Sequence, residues 1–534
     1  MNKMKKLLNI STRRIIILSL VSVVLTMAMV FGYQIEHYSS LHIEGKTVVA
    51  LSAGFVIIFL FMYGLFICFD QINFRGKKPE KVSAIKVFLI IWAVMLGLYF
   101  VSFLALYPGL FVFDAKWQYD MYKGVEAFTE HHPVLHTLII GFLIDTVYQT
   151  TGNFNYGVVA YTVSQILICS AAFSYMLTYV YKKTKSVILI VLSGLFVSLH
   201  PALVLQVMSA TKDTPFLAFL VLNIVLSLEL LEDAKAFFKR PDKYILWVVS
   251  TVLMIIFRNN CLYAVPFLLI LLFVFLKSNR KNYIVMVMVA MLFFGLYKAV
   301  LVPAVTTDKT DGREMLSVPI QQIMRIYHTE GADITEEEEE CVEILFEEWG
   351  RVCYDPKISD YPKVVLDMEY YKEHQDEIND MYLSLVKRNF KMSVESFVEN
   401  TCGYWYPFSR LAWTYQARGY WIITDFSAMT VADSKIPVIY DYYKGFENYN
   451  FASGNPIAMF LTAPATYFYL FIAFFAYVIE QKKKSFYAVF TFVFMLLCTY
   501  LLGPVALVRY TTYFYAMVPL YFVAINKQSE QTEK

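Results

Sequence analysis

The feature that most constrains this chain is its series of apolar runs, each about 17–25 residues long, the length that crosses a bilayer as a helix. They lie near 15–33, 47–69, 84–106, 157–181, 186–204, 212–231, 243–259, 261–277, 281–303, 456–479, 485–503 and 506–524. A peptide group in hydrocarbon has no water to bond, so runs of this kind fold as helices that satisfy their own backbone. Only 17% of the residues are charged and 58% are hydrophobic, against about 25% charged in soluble domains. The expectation is an all-α polytopic membrane protein with about twelve spans, one for each run.

Loop charge orients the spans, because Lys and Arg collect on the cytoplasmic side. Lys3, Lys5, Lys6, Arg13 and Arg14 precede the first run, and no small-residue cleavage site follows it. It therefore reads as a transmembrane helix rather than a signal peptide. The basic loops at 75–86, 182–185, 235–243, 277–281 and 482–484 go inside with both termini. This places 107–132, the turn at Lys212-Asp213, the turn at Arg258, residues 304–455 and the turn at 503–510 outside. The assignment holds only if the short run 133–148 does not cross, so it is expected to be a juxtamembrane or re-entrant helix. Four parts follow: an N-terminal start and hairpin (1–83), a transmembrane module (84–303), an extracytoplasmic, mostly helical region (304–455) and the last spans with a cytoplasmic tail (456–534).

Net charge of +2 with no basic stripe gives no reason to expect a nucleic-acid partner. The seven cysteines show no zinc-like spacing; Cys341, Cys353 and Cys402 could pair only in an oxidising compartment. The acidic run Glu336–Glu340 follows Thr335, an N-cap residue type, and reads as a solvated first helical turn favoured by the helix dipole. No metal site is expected there or elsewhere, and no nucleotide-binding signature is present.

Chemistry-bearing residues gather on the expected outer face. The stretch 107–137, YPGLFVFDAKWQYDMYKGVEAFTEHHPVLHT, holds Asp114, Trp117, Gln118, His131 and His132. Lys212 and Asp213, Arg258, and Arg509 with Tyr510 occupy three further outer turns. Charged groups at a membrane boundary persist mainly where function or a partner holds them. Moving a sugar from a lipid phosphate needs a carboxylate to take the acceptor's proton and cations to hold the departing phosphate. Asp114 suits the first role, and Lys212, Arg258 and Arg509 the second. The structural alternatives stand beside these: a loop acid, helix-start histidines, a helix-capping Lys-Asp pair and interfacial arginines.

The residues Phe113-Asp114-Ala115, His132-Pro133-Val134-Leu135 and Ser209-Ala210-Thr211-Lys212-Asp213 resemble motifs of the GT-C superfamily of polyprenyl-phosphate-sugar glycosyltransferases. The likeness is to its protein O-mannosyltransferase and aminoarabinose-transferase type, and covers residues from about 84 to 303. Ala115 stands where that family has a glutamate and Val134 where it has a second proline. The chain is also similar to uncharacterised bacterial membrane proteins sharing PG-x-x-x-x-D and HHP-x-x-x-T. His131, His132, Trp117, Gln118 and Tyr510 are the candidate substrate contacts beside the cations already named. The resemblance implies Asp114 as general base and Asp213 as the second acid. It further implies a polyprenyl-phosphate-sugar donor, an envelope glycan, wall polymer or protein as acceptor, and no required cofactor, with a divalent cation compatible but not needed.

A non-enzymatic lipid-linked glycan transporter or flippase is the alternative from another class. It should carry internal repeats and broken helices in matching positions, and no repeat is evident in the sequence. A structural scaffold for an envelope assembly would leave the outer-face charges unexplained.

Overall fold

The structure, a computed structural model, describes residues 11–74, 83–111, 113–310, 312–409, 433–447 and 460–526. Among these every regular element is a helix, with β-pairing confined to isolated bridges. In chain order the helices used below are α1 Thr12–Tyr38, α2 Gly45–Gln71, α3 Ala84–Ala105, α4 Phe113–Lys123, α5 Val134–Thr151, α6 Phe154–Thr184, α7 Val187–Leu199 and α8 Pro201–Met208. They continue with α9 Asp213–Glu232, α10 Pro241–Phe257, α11 Cys261–Phe275, α12 Arg280–Leu296, α13 Ser317–Tyr327, α14 Glu336–Leu345, α15 Asp360–Val364, α16 Gln375–Arg388 and α17 Phe390–Trp405. The last are α18 Pro437–Glu447, α19 Pro464–Glu480, α20 Lys484–Tyr500 and α21 Val518–Ile525.

Among the described residues, 6 helices are long and apolar enough to cross a membrane: α1, α2, α3, α6, α9 and the stretch Arg280–Val305 that begins with α12. The count is 7 if the bent pair α7–α8 forms one span. The protein is thus a helical, multi-span membrane protein. The remaining expected spans are shorter or interrupted. α11, α19 and α20 are apolar helices of 10–17 residues. The run 506–524 divides into a 3₁₀ turn at Val508–Tyr510, a short helix at Thr512–Ala516 and α21, whose second residue is Pro519. Residues 456–459 lie outside the described residues.

The run expected at 186–204 is not one straight helix. Pro201 has no N–H and its ring clashes with the preceding turn, and α7 and α8 meet there at 55°. His200 caps the new helix, its Nδ1 accepting from the Ala202 N–H at 3.3 Å. All eight residues of α8 are buried, so the backbone freed at its far end needs partners within the protein. Gln165 of α6 supplies them, donating to the Val207 and Ser209 carbonyls. The Thr214 hydroxyl donates to Gln206 O at 2.6 Å.

The α5–α6 hairpin turns at Gly152, in the left-handed region at φ 67°. α6 has 31 residues and spans roughly 46 Å at 1.5 Å per residue, well over the roughly 30 Å hydrocarbon thickness. Its first turns pair with α5, and α5 is not among the helices apolar enough to cross. At the other end of the bundle Arg14 ties three helices together, reaching Asp70 of α2 at 2.7 Å and Glu480 of α19 at 3.2 Å.

The polar region beyond residue 304 is helical where described. Thr335 caps α14 in a reciprocal capping box with Glu338, as expected of the acidic run. Ile320, Met324, Val342, Leu345 and Phe346 form its local core. α17 leaves that core and packs against α1 and α19. A buried ionic cluster seals this junction: Arg325 meets Glu399 at 3.0 Å, and Lys357 meets Glu36 at 2.7 Å. Cys341, Cys353 and Cys402 are free thiols.

Candidate functional site

Two short contacts bring the segment after α3 to the turn before α9. The Leu110 N–H donates to Met208 O at 3.0 Å, and the Ala210 N–H donates to Leu110 O at 2.8 Å. Gly109, at φ 119°, lets this loop lie against α6; a Cβ there would come within 2.1 Å of the Thr162 hydroxyl. Asp114 then starts α4, where a carboxylate is favoured by the helix dipole. Lys212 stands at the N-cap of α9 and Asp213 in its first turn.

These residues form one connected cluster with two from much later in the chain. The Lys212 ammonium lies 3.4 Å from Asp114 Oδ2 and donates to His132 Nδ1 at 3.0 Å. Arg509 Nη1 reaches the same Asp114 oxygen at 3.1 Å. Arg509 Nε is 3.9 Å from Asp213, whose other oxygen lies 2.8 Å from Arg258 Nε. Neither Asp213 oxygen is aligned for a hydrogen bond, so these contacts act through charge. Arg258 sits over the Tyr510 ring at 4.4 Å and the Tyr500 ring at 5.1 Å. Those two rings stack at 5.5 Å, and Arg509 donates to the Tyr510 hydroxyl at 3.2 Å.

Burial sorts the cluster into two layers. The Asp114 and Arg509 side chains are 18% exposed and Lys212 13%, whereas Asp213 is 2% exposed. Asp114, Lys212 and Arg509 can meet a ligand; Asp213 holds the two arginines from behind. Burial opposes ionisation of Asp114, but Arg509, Lys212 and His132 outweigh it and hold the carboxyl well below the usual range. Burial, reinforced by Lys212, drives the His132 imidazole well below its ordinary value, so the ring is neutral near pH 7. With Nδ1 accepting from Lys212, the proton of that neutral ring sits on Nε2.

Of the residues singled out in sequence, Asp114, His132, Lys212, Asp213, Arg258, Arg509 and Tyr510 are in the cluster. His131 is beside it, its ring 4.7 Å from that of His132 and its Nδ1 3.9 Å from Glu314. Trp117 is 44% exposed. Gln118 is the correction. It is wholly buried and bonded to Thr137 and His136, which removes it from any substrate surface. Sequence reading passed over His136 and Tyr500, since a lone histidine or tyrosine within an apolar run carries no distinguishing pattern. Among the described residues no group of three or more His, Cys, Asp or Glu side chains could hold a metal ion.

The region beyond residue 304 packs beside this cluster. The Ser359 N–H donates to Pro504 O at 3.0 Å, and Ile358 pairs with Val505 in an antiparallel bridge. Lys363 of α15 holds Glu314, the acid facing His131, at 2.9 Å.

The chain matches a family of unknown function, DUF6020, over residues 119–534. It belongs to that family. The match takes in His132, Lys212, Asp213, Arg258, Arg509 and Tyr510, and begins just after Asp114. No curated protein and no solved structure matches the chain.

Proposed function

We propose that this DUF6020 member is a membrane glycosyltransferase of GT-C type, taking a sugar from a polyprenyl-phosphate carrier to an extracytoplasmic envelope acceptor. The observation that carries the reading is one carboxylate, Asp114, held between two cations, Lys212 and Arg509, at a partly open site. In this reading about twelve segments cross, the basic loops and both termini are cytoplasmic, and α5 with the overhanging start of α6 stands outside the membrane. The cluster then lies at the outer face.

The low pKa of Asp114 in the unliganded protein poses a physical question, because a base works best when its pKa is near the working pH. A donor phosphate supplies the answer. Its oxygens compete for Lys212 and Arg509, charge-assisted contacts each roughly twice as strong as neutral ones. Asp114 loses its two cations as the phosphate gains them, and its proton affinity rises. The carboxylate takes the proton of the acceptor hydroxyl while that oxygen attacks the anomeric carbon. The bond from that carbon to the phosphate oxygen breaks, polyprenyl phosphate leaves on Lys212 and Arg509, and the configuration inverts. Arg258 and Asp213 hold Arg509 in place throughout.

The deciding experiment is transfer from a lipid-linked sugar by protein in proteoliposomes. Asp114→Asn should lose at least 100-fold in rate, the low end of a general base's contribution; undiminished transfer removes the assignment.

One observation favours a second reading, a lipid-linked glycan transporter. Helices broken inside the membrane are common in transporters, and α7–α8 is broken beside the cluster. Movement of the lipid-linked sugar across proteoliposomes without any new glycosidic bond would establish it.

A further inference from the structure

Below Asp114 runs a buried chain of hydrogen bonds that the transfer chemistry does not use. It starts at Tyr161 on α6, whose hydroxyl lies 2.5 Å from His136 Nε2. His136 Nδ1 lies 3.0 Å from Gln118 Oε1. The Gln118 amide donates to the Thr137 hydroxyl at 3.1 Å, and Thr137 returns to Pro133 O at 3.4 Å. Tyr161, His136, Gln118 and Thr137 are all at least 98% buried.

The bonds fit one consistent set of directions. Gln118 uses its amide N–H on Thr137, so its carbonyl oxygen faces His136 and can only accept. His136 Nδ1 therefore carries the proton, and a neutral ring then accepts at Nε2 from the Tyr161 O–H. Burial, helped by Lys212, pushes the imidazole down to about 3, so the ring stays neutral and keeps this one tautomer. A second proton would force it to face the Tyr161 hydroxyl as a donor.

The chain matters because of helical spacing. Asp114 and Gln118 are four residues apart on α4, hence neighbours on one face. Fixing Gln118 fixes the turn that carries the carboxylate. α4 is also attached to α5 through Gln118 on Thr137, through Tyr119 and Lys123, which bond Asp145 at 2.9 Å, and through Tyr122 packed on Gly141. His136 is the link that carries the Gln118 carbonyl on to Tyr161 of α6.

We propose that His136 is a positioning residue for Asp114, tying Gln118 to Tyr161 in a single neutral tautomer and so aiming the carboxylate at Lys212 and Arg509. If the tie is cut, α4 shifts, Asp114 recedes from its cations, and its proton affinity rises. The groups facing that carboxylate are Lys212, Arg509 and His132.

The test needs no sugar donor, so it stands apart from the transferase reading. Full-length protein in detergent is treated at pH 5.5 with a water-soluble carbodiimide and glycine ethyl ester, which together amidate protonated carboxyls. Labelling of the Asp114 peptide is read by mass spectrometry. In the wild type Asp114 should resist. His136→Phe, which fills the space without either bond, should raise its labelling at least tenfold, and His136→Gln, which can donate and accept, should restore resistance. Unchanged labelling in folded His136→Phe overturns the proposal. If that variant does not fold, Tyr161→Phe removes a single hydroxyl and should raise labelling about threefold; no rise in that variant also overturns it. In the transfer assay the acid limb of the rate profile should move to higher pH in the same variants. A normal rate in Asp114→Asn with a positive labelling result would defeat the transferase reading and leave the positioning role intact.

Discussion

Arg509 Nη1 lies 3.1 Å from Asp114 Oδ2 although the two residues are 395 positions apart, and this contact joins the start of α4 to the turn after α20. Replacing Arg509 with Ala should weaken the retention of a polyprenyl phosphate on the purified protein at least tenfold, since a charge-assisted contact is worth about 1.5–3 kcal/mol. Arg509→Lys should recover only part of it, because Arg509 also donates to Tyr510 through a second nitrogen. Binding measured by native mass spectrometry, with the neutral polyprenol as control, reads this directly. Equal retention by Arg509→Ala would mean the phosphate sits elsewhere.

The Asp114 carboxyl also sets a pH dependence. Its folded pKa lies below its unfolded one, so the stability it contributes is full above the ordinary carboxylate value of about 3.9. It is lost as pH falls through the lower, folded value. Asp114→Asn should therefore melt below the wild type at pH 7, and the gap should narrow only under strongly acid conditions. A gap that closes already at pH 6 would contradict the ion pairing.

Gly141 faces the Tyr122 ring so closely that a Cβ would fall 2.1 Å from it. Gly141→Ala should push α4 off α5 and cost about 1–3 kcal/mol, the usual range for overpacking. Shortening the partner in the double variant Gly141→Ala, Tyr122→Ala should recover part of the loss. Thermal unfolding of the purified variants checks both steps, and a Gly141→Ala protein as stable as the wild type would show the helices pack less tightly.

The bridge between Ile358 and Val505 makes a covalent prediction. Residues paired across an antiparallel bridge have Cα atoms about 4.5–5.5 Å apart, within the range of a disulfide. Ile358→Cys with Val505→Cys should cross-link under mild oxidation, seen as a mobility shift reversed by reductant, whereas each single variant should not. Failure of the pair to link would place α15 away from the turn after α20.

Much of this fold was legible before any coordinates, and the reasons are physical. Long apolar runs dictate helices, so α1, α2, α3, α6 and α9 follow from length alone. The chemistry of Thr335 and Glu338 is local, so that cap was readable too. What escaped was set by contacts rather than by pattern. The break at Pro201 depends on Gln165 and Thr214 donating to the carbonyls of Gln206, Val207 and Ser209. Gln118, next to the exposed Trp117 and on no obvious stripe, reads in the sequence as a substrate contact, whereas its partners are the buried His136 and Thr137. Asp114, Lys212, Asp213, Arg258 and Arg509 were each visible as charges at a membrane edge. Their joining into one cluster rests on the Leu110 pairing with Met208 and Ala210, a contact across about a hundred residues that no local pattern announces.

The late position of Arg509 has a consequence for biogenesis. At synthesis rates of about 5–20 residues per second, Asp114 emerges about 20–80 s before the arginine that completes its surroundings. During that interval the carboxylate has His132 and, once the ribosome has delivered it, Lys212 to offset its burial, but not the arginine. The cluster is therefore a product of finished insertion, and a nascent chain stalled before its final hairpin would be integrated in the bilayer with the surroundings of Asp114 incomplete.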